Sequence, residues 1–175
     1  PIPFTNVTYQ PPYALSLDTA WAEADGMNAS VLVTEFGAPR ADERLEGIVR
    51  EQDRHFTGST FWPWKERGGW GMFTHTDNAT DQNGPIDPGH VDLLARVTPL
   101  AVSGRLLGFE YNYSNRTFAM AASADGRARA PTEVFIPAHV GEIAVRVAGA
   151  ATLLNLTRAP DGARKELATI VTAIT

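Results

Sequence analysis

Hydrophobic and polar positions change their rhythm about halfway along the chain. In the first half, apolar residues recur at helical spacing or run together. Leu17, Ala20, Trp21 and Ala24 share one face of a helix predicted over Leu15–Gly26, with Ser16 as N-cap, Asp18 in the first turn and Gly26 as C-cap. Ser30–Gly37 follows, and its apolar residues do not alternate with polar ones. That pattern suits a strand buried on both faces of a parallel sheet. Leu45, Ile48, Val49 and Gln52 stand at i, i+3, i+4 and i+7 and predict a second helix over Ala41–His55. Gly58–Lys65 carries β-formers and aromatics, with Pro63 near its end, where no ladder donor is required. Residues 15–65 therefore read helix, strand, helix, strand, one right-handed crossover unit of an α/β fold.

Pro1–Tyr13, with four prolines, reads as an irregular loop, and Gly68–Pro88 as a long Gly/Asp/Asn-rich one. Pro88–Arg96 predicts a short helix opening at Asp87 or Pro88, and Pro99–Gly104 reads as a junction. Beyond it the period becomes two. Leu107–Tyr113 alternates, Ser114-Asn115 turns, and Thr117–Ala122 answers as the second arm of a hairpin. Further short strands are predicted at Glu133–Pro137, Ile143–Val147, Ala151–Leu156 and Ala168–Thr172, together a small antiparallel β-sandwich. The expected domains are 1–98, α/β, and 99–175, all-β.

Composition adds one strong signal. Asn6, Asn28, Asn78, Asn112, Asn115 and Asn155 each open an Asn-x-Ser/Thr triplet, and only Asn83 does not. Chance would give roughly one such triplet. The set implies a secreted or lumenal chain whose asparagines receive glycans. Any single triplet on its own would be unremarkable. A net charge of −5 without a basic run argues against a nucleic-acid partner. No cysteine is present, so disulfides and Cys-ligated metals are excluded. His55, His75, His90 and His139 lack ligand spacing, so neither a metal nor a cofactor is expected. Asp77, Asp81 and Asp87 are spaced too loosely for a calcium loop and read as solvated loop residues. The chain opens on Pro1, and any secretory leader is expected to lie well upstream.

The sharpest chemical motif is Thr34-Glu35-Phe36-Gly37: a strand ends in a carboxylate, and glycine turns the backbone. In β/α barrels the reacting groups stand at the carboxyl ends of strands. A second strand end follows, Phe61-Trp62-Pro63-Trp64-Lys65, with aromatic planes of the kind that stack on sugar rings. The plain alternatives are a capping charge for Glu35 and ordinary packing for Trp62 and Trp64. Trp70 and Phe73 either line a lipid groove or, as loop aromatics more often do, pack down.

These residues resemble the retaining β-glycosidases of the cellulase family 5, and among them the endoglycoceramidase-related branch with its glycosylceramidases. Val31–Gly37 is similar to that family's seventh barrel strand, Phe61–Lys65 to its eighth, and Arg96–Gly104 to its Arg-x-x-Pro-x-Ala-x-x-Gly passage into a C-terminal β-sandwich. The resemblance implies the last strands and helices of a (β/α)8 barrel followed by that sandwich. It implies Glu35 as the nucleophile and Trp62 as the platform under the sugar, with Trp64 and Lys65 on the same wall. The implied partners are a carbohydrate or glycolipid such as a glycosylceramide, a membrane surface, and the N-terminal portion of the barrel. Retaining glycosidases need a second carboxyl group about 5 Å from the first. In the family it follows an asparagine on the fourth strand, and no Asn-Glu pair occurs here. The sixth strand's His-x-Tyr is also absent. The chain is expected to be the C-terminal part of a longer enzyme, inactive by itself. The competing reading is a non-catalytic glycan- or lipid-binding module.

Two strands taken from a closed barrel leave open edges and a bare apolar face. The region from 1 to about 95 is accordingly expected to be unstable alone, and in the 175-residue chain either to associate with the missing part of the barrel or to collapse on the sandwich. Size-exclusion chromatography and a thermal melt check this: a monodisperse monomer with one cooperative transition overturns the barrel-fragment expectation.

Overall fold

The computed structural model describes residues 13–39, 41–64, 70–74, 84–124, 127, 130–140, 144, 151–158 and 165–172, the last two stretches by their backbone. Several expectations lie outside the described residues: the loop before Tyr13, the strand at 143–147, and Lys65, Asn6, Asn78, His75, Asp77 and Asp81. The Asn155 side chain does so too. The chain divides into two compact units, Pro1–Leu93 and Leu94–Thr175.

In the first unit α1 spans Tyr13–Gly26, β1 Leu32–Phe36, α2 Glu43–Arg54, β2 Gly58–Phe61 and α3 Pro88–Leu94. Helix α1 opens two residues earlier than its pattern suggests, so Ser16 lies inside it rather than capping it. Tyr13 is held there because its hydroxyl accepts from Gln52 Nε2 at 2.9 Å. Leu17 and Ala24 are buried on the predicted face. Helix α2 is capped by Asp42, whose carboxylate accepts the Arg44 and Leu45 amides at 3.0 and 3.3 Å. Its predicted face is the buried one: Leu45, Val49 and Gln52 are all but inaccessible. The Gln52 carboxamide also reaches β2, accepting from the Ser59 hydroxyl at 2.8 Å.

Strands β1 and β2 pair in parallel, with Leu32 opposite Gly58, Val33 opposite Ser59 and Phe36 opposite Phe61. A register irregularity lies between Val33 and Phe36. The expectation of burial on both faces is not met. Leu32 is 63% exposed, Thr34 and Glu35 are exposed, and only Val33 and Phe36 are half-buried. The reason is that the described sheet has two strands and a helical cover on one face only. Strand β2 also stops at Phe61, leaving Trp62, Pro63 and Trp64 beyond it.

In the second unit β3 spans Thr98–Ala101, β4 Gly104–Asn112, β5 Thr117–Ala124, β6 Thr132–Pro137, β7 Ala151–Arg158 and β8 Lys165–Thr172. The expected junction at 99–104 thus carries a strand of its own. Strands β4 and β5 form the predicted hairpin, and the other four make an antiparallel sheet in the order β3-β6-β8-β7. Tyr111 of β4 is buried in one cluster with Val134 and Ile136 of β6 and Val97, so the two sheets share a core. Opposite Ala121 and Ala122 the hairpin register skips Leu107, which is 56% exposed at this bulge.

Candidate active site

Phe61 meets the buried His90 of α3 edge-on, their centroids 5.7 Å apart. It meets Phe36 in the same manner at the same distance. With Ser59 bonded to α2, these contacts define the helix-covered face of the sheet. Glu35, in the stretch of irregular register between Val33 and Phe36, and Trp62, just past the end of β2, are by contrast exposed. Glu35 is exposed, and its carboxylate has no hydrogen-bond or ion-pair partner among the described residues. Trp62 is 50% exposed. The strand ends are joined directly: the Trp62 amide donates to the Phe36 carbonyl at 2.8 Å, and the Thr60 hydroxyl donates to the Thr34 carbonyl. The Trp62–Pro63 peptide is cis.

The glycine after Phe36 has a stringent reason to be there. A Cβ on Gly37 would lie 2.4 Å from the Trp62 carbonyl oxygen. The chain leaving β1 passes so close to the chain leaving β2 that no side chain fits between them.

Trp64, 61% exposed, stands edge-on to Phe73 at 5.3 Å. The Met72 amide donates to the Trp64 carbonyl at 3.1 Å, and the Asp87 amide to the Met72 carbonyl at 2.8 Å. An antiparallel bridge links Phe73 with Ile86. Phe73 therefore packs on the Trp64 wall and belongs to the same surface.

Asp87 and His90 were not legible as a pair, and Asp87 is not the free loop residue expected. Its Oδ1 accepts the Gly89 amide at 2.8 Å and its Oδ2 faces His90 Nδ1 at 3.0 Å. Burial acts to raise the Asp87 carboxyl, but the His90 hydrogen bond, the Gly89 amide and the His90 charge together hold it below the ordinary carboxylate value. His90 is 1% exposed, and its Nε2 faces the Ala38 carbonyl at 3.3 Å. An Asp three residues before a His at a helix start was the only signal available. Among the described residues no group of three acidic or imidazole side chains is placed to hold a metal. No described helix is long and apolar enough to cross a membrane.

The arrangement is a carboxylate and an indole on neighbouring ends of parallel strands, with a second tryptophan beyond. The fold that carries it is similar to that of known proteins. Residues 96–169 match the glycoside hydrolase family 5 C-terminal domain. The chain covers 93% of its length on endo-glycoceramidase II from Rhodococcus sp., solved as its lactosyl-enzyme intermediate, at 20% identity and TM-score 0.60. It covers 92% on an endogalactoceramidase, at 18% identity and TM-score 0.56. It covers 90% on Cryptococcus neoformans sterylglucosidase 1, solved with tris, at 12% identity and TM-score 0.58. The chain spans 37% of the length of the first two and 30% of the third. No curated protein matches it. The family match begins at the Arg96–Gly104 motif, and the likeness of the whole chain to the three solved structures is one of fold.

Replacing Gly37 by alanine places a methyl group inside the contact with the Trp62 carbonyl, and the strand ends must part. The expected cost is about 1–3 kcal/mol, the usual range for overpacking. Chemical denaturation of G37A measures it, and wild-type stability contradicts the close approach.

Proposed function

We propose that this chain supplies the nucleophile half of a retaining β-glycosidase acting on a glycolipid such as a glycosylceramide. Glu35 attacks the anomeric carbon and forms a glycosyl-enzyme ester. Trp62 lies under the sugar ring, and Trp64 and Lys65 extend the wall toward the rest of the substrate. In this reading β1 and β2 are the seventh and eighth strands of a (β/α)8 barrel, and the second unit is a β-sandwich. The proton donor belongs to a part of the barrel outside this sequence, and the product is released when water attacks the ester with that donor acting as base.

The observation that supports the reading is that Glu35, exposed and without a hydrogen-bond or ion-pair partner among the described residues, and the half-exposed Trp62 stand at the ends of two paired parallel strands. The family match supports a glycosidase, and the three neighbours are named for glycolipid or steryl glucoside substrates. The test is Glu35→Gln in the full-length protein, with a nitrophenyl β-glucoside and a fluorescent glycosylceramide as substrates. Turnover should fall by roughly 10⁴-fold or more, the scale on which enzymes lose rate when the nucleophile is removed. Unchanged turnover overturns the assignment. Glycolipid-vesicle binding by the full-length protein without turnover is the outcome that favours a binding module instead.

The abundance of Asn-x-Ser/Thr triplets supports a further part of the same reading: a secreted or lumenal glycoprotein. Among the described asparagines Asn28 is exposed just after α1, and Asn112 and Asn115 share the β4–β5 turn. Asn112 Oδ1 accepts the Ser114 and Asn115 amides at 3.0 and 3.2 Å and is half-buried. Asn115 is exposed, and its Oδ1 accepts both the amide and the hydroxyl of Thr117, at 3.1 and 2.6 Å. With the oxygen turned onto the backbone, the Asn115 amide nitrogen is left on the solvent side. Two glycans three residues apart would crowd this turn, and Asn115 is the better acceptor. Glycopeptide mapping of the full-length protein from a secretory host should find sugar on Asn115 and not on Asn112. A bare Asn115, or an occupied Asn112, refutes the choice.

A further inference from the structure

The glycosidase chemistry uses Glu35 and the tryptophans and leaves His90 without a task. Yet His90 is among the most deeply buried side chains described, alongside Leu45, Gln52 and Val49. It shares the buried side of α3 with Leu93, and a polar ring in such a place must be accounted for by its partners.

Those partners come from three different segments. Nε2 faces the carbonyl of Ala38, three residues beyond Glu35. Nδ1 faces the carboxylate of Asp87, whose own amide is bonded to Met72, which in turn is bonded to Trp64. The ring edge meets Phe61, the residue before Trp62. Both ring nitrogens face oxygen atoms, one of the Asp87 carboxylate and one of the Ala38 backbone. The neighbourhood is closed around these contacts. Ala38 is 2% exposed, and a Cβ on Gly89 would lie 2.9 Å from Ala41 Cβ, so α3 starts tight against the segment that follows β1. His90 is too deeply buried to touch a substrate bound at the exposed strand ends.

We propose that His90, held by Asp87, is a positioning residue that fixes the end of β1, and with it Glu35, against the Trp62–Trp64 wall. The inference rests on the reading of Glu35 as nucleophile. One ring ties the segment after Glu35 to the residue before Trp62 and, through Asp87, to the return segment packed on Trp64. A nucleophile must meet the anomeric carbon at close range and in line, and displacement by about 1 Å can cost about 100-fold in rate. Binding of the sugar on the indole face depends far less on such a shift. Loss of His90 therefore acts on kcat rather than KM.

The experiment compares His90→Leu with His90→Gln in the full-length protein. Leucine fills the space without a donor, whereas glutamine retains an N–H able to reach the Ala38 carbonyl. Two readouts are taken: kcat and KM on a nitrophenyl β-glucoside, normalised to folded protein, and hydrogen exchange of the Trp62 amide, which is bonded to Phe36. H90L should lower kcat by about 10–100-fold with KM nearly unchanged. It should also speed Trp62 exchange, and H90Q should restore most of both. A wild-type kcat per folded molecule in H90L, or no recovery in H90Q, overturns the proposal. Glu35→Gln runs alongside. If that variant keeps full turnover, the nucleophile reading fails by itself, while the exchange of Trp62 still reports whether His90 holds the two strand ends together.

Discussion

The close passage of two backbones underlies everything proposed for the first unit. Where β1 and β2 end, the Gly37 Cα stands so near the Trp62 carbonyl that even a methyl group would collide with it. The Phe36 carbonyl and Trp62 amide close the same junction with a hydrogen bond. Parallel strands lie about 4.8 Å apart along their length, but nothing in strand pairing alone obliges their exits to remain together. Here the exits are clasped, and each clasped segment carries one of the two exposed groups. The helix side provides the counter-pressure through Phe36, Phe61 and His90.

Much of this was legible in the sequence because it is written in periodicity. The apolar face of α2 showed as Leu45, Val49 and Gln52, and those are the residues that are buried. The β4–β5 hairpin showed as two alternating arms about Ser114-Asn115. The two strand ends that carry Glu35 and Trp62 showed as well, since a β-forming run closed by glycine or proline is a compact local pattern. The motif at Arg96–Gly104 agrees with the matched C-terminal domain.

What escaped depends on contacts between residues distant in sequence. Gly37 looked like a turn glycine, but its necessity comes from Trp62. Asp87 looked solvated because it sits among Gly, Asn and Pro, yet its carboxylate is committed to α3. His90 lies 52 residues from the carbonyl that it faces. Strand β1 read as buried on both faces because its composition is that of a strand enclosed by neighbours, and composition says nothing of which neighbours stand beside it. Pro99 concealed β3 by suggesting a break, although it pairs with Val134 of β6 as a member of an outer strand, where a missing amide is tolerated.

The stretch between Trp64 and Asp87 begins and ends in short hydrogen-bonded clips, Met72 to Trp64 and Thr74 to Pro85. Loops fastened at both ends tolerate insertions, deletions and drift between their fastenings. Divergence between the clips leaves the clips themselves, and the contacts of Asp87 with His90, in place. On the reading proposed for Glu35, natural variants with longer or shorter segments there would reshape the surface beside Trp64 while inheriting the same strand ends, which makes the segment the natural ground for evolutionary divergence of specificity.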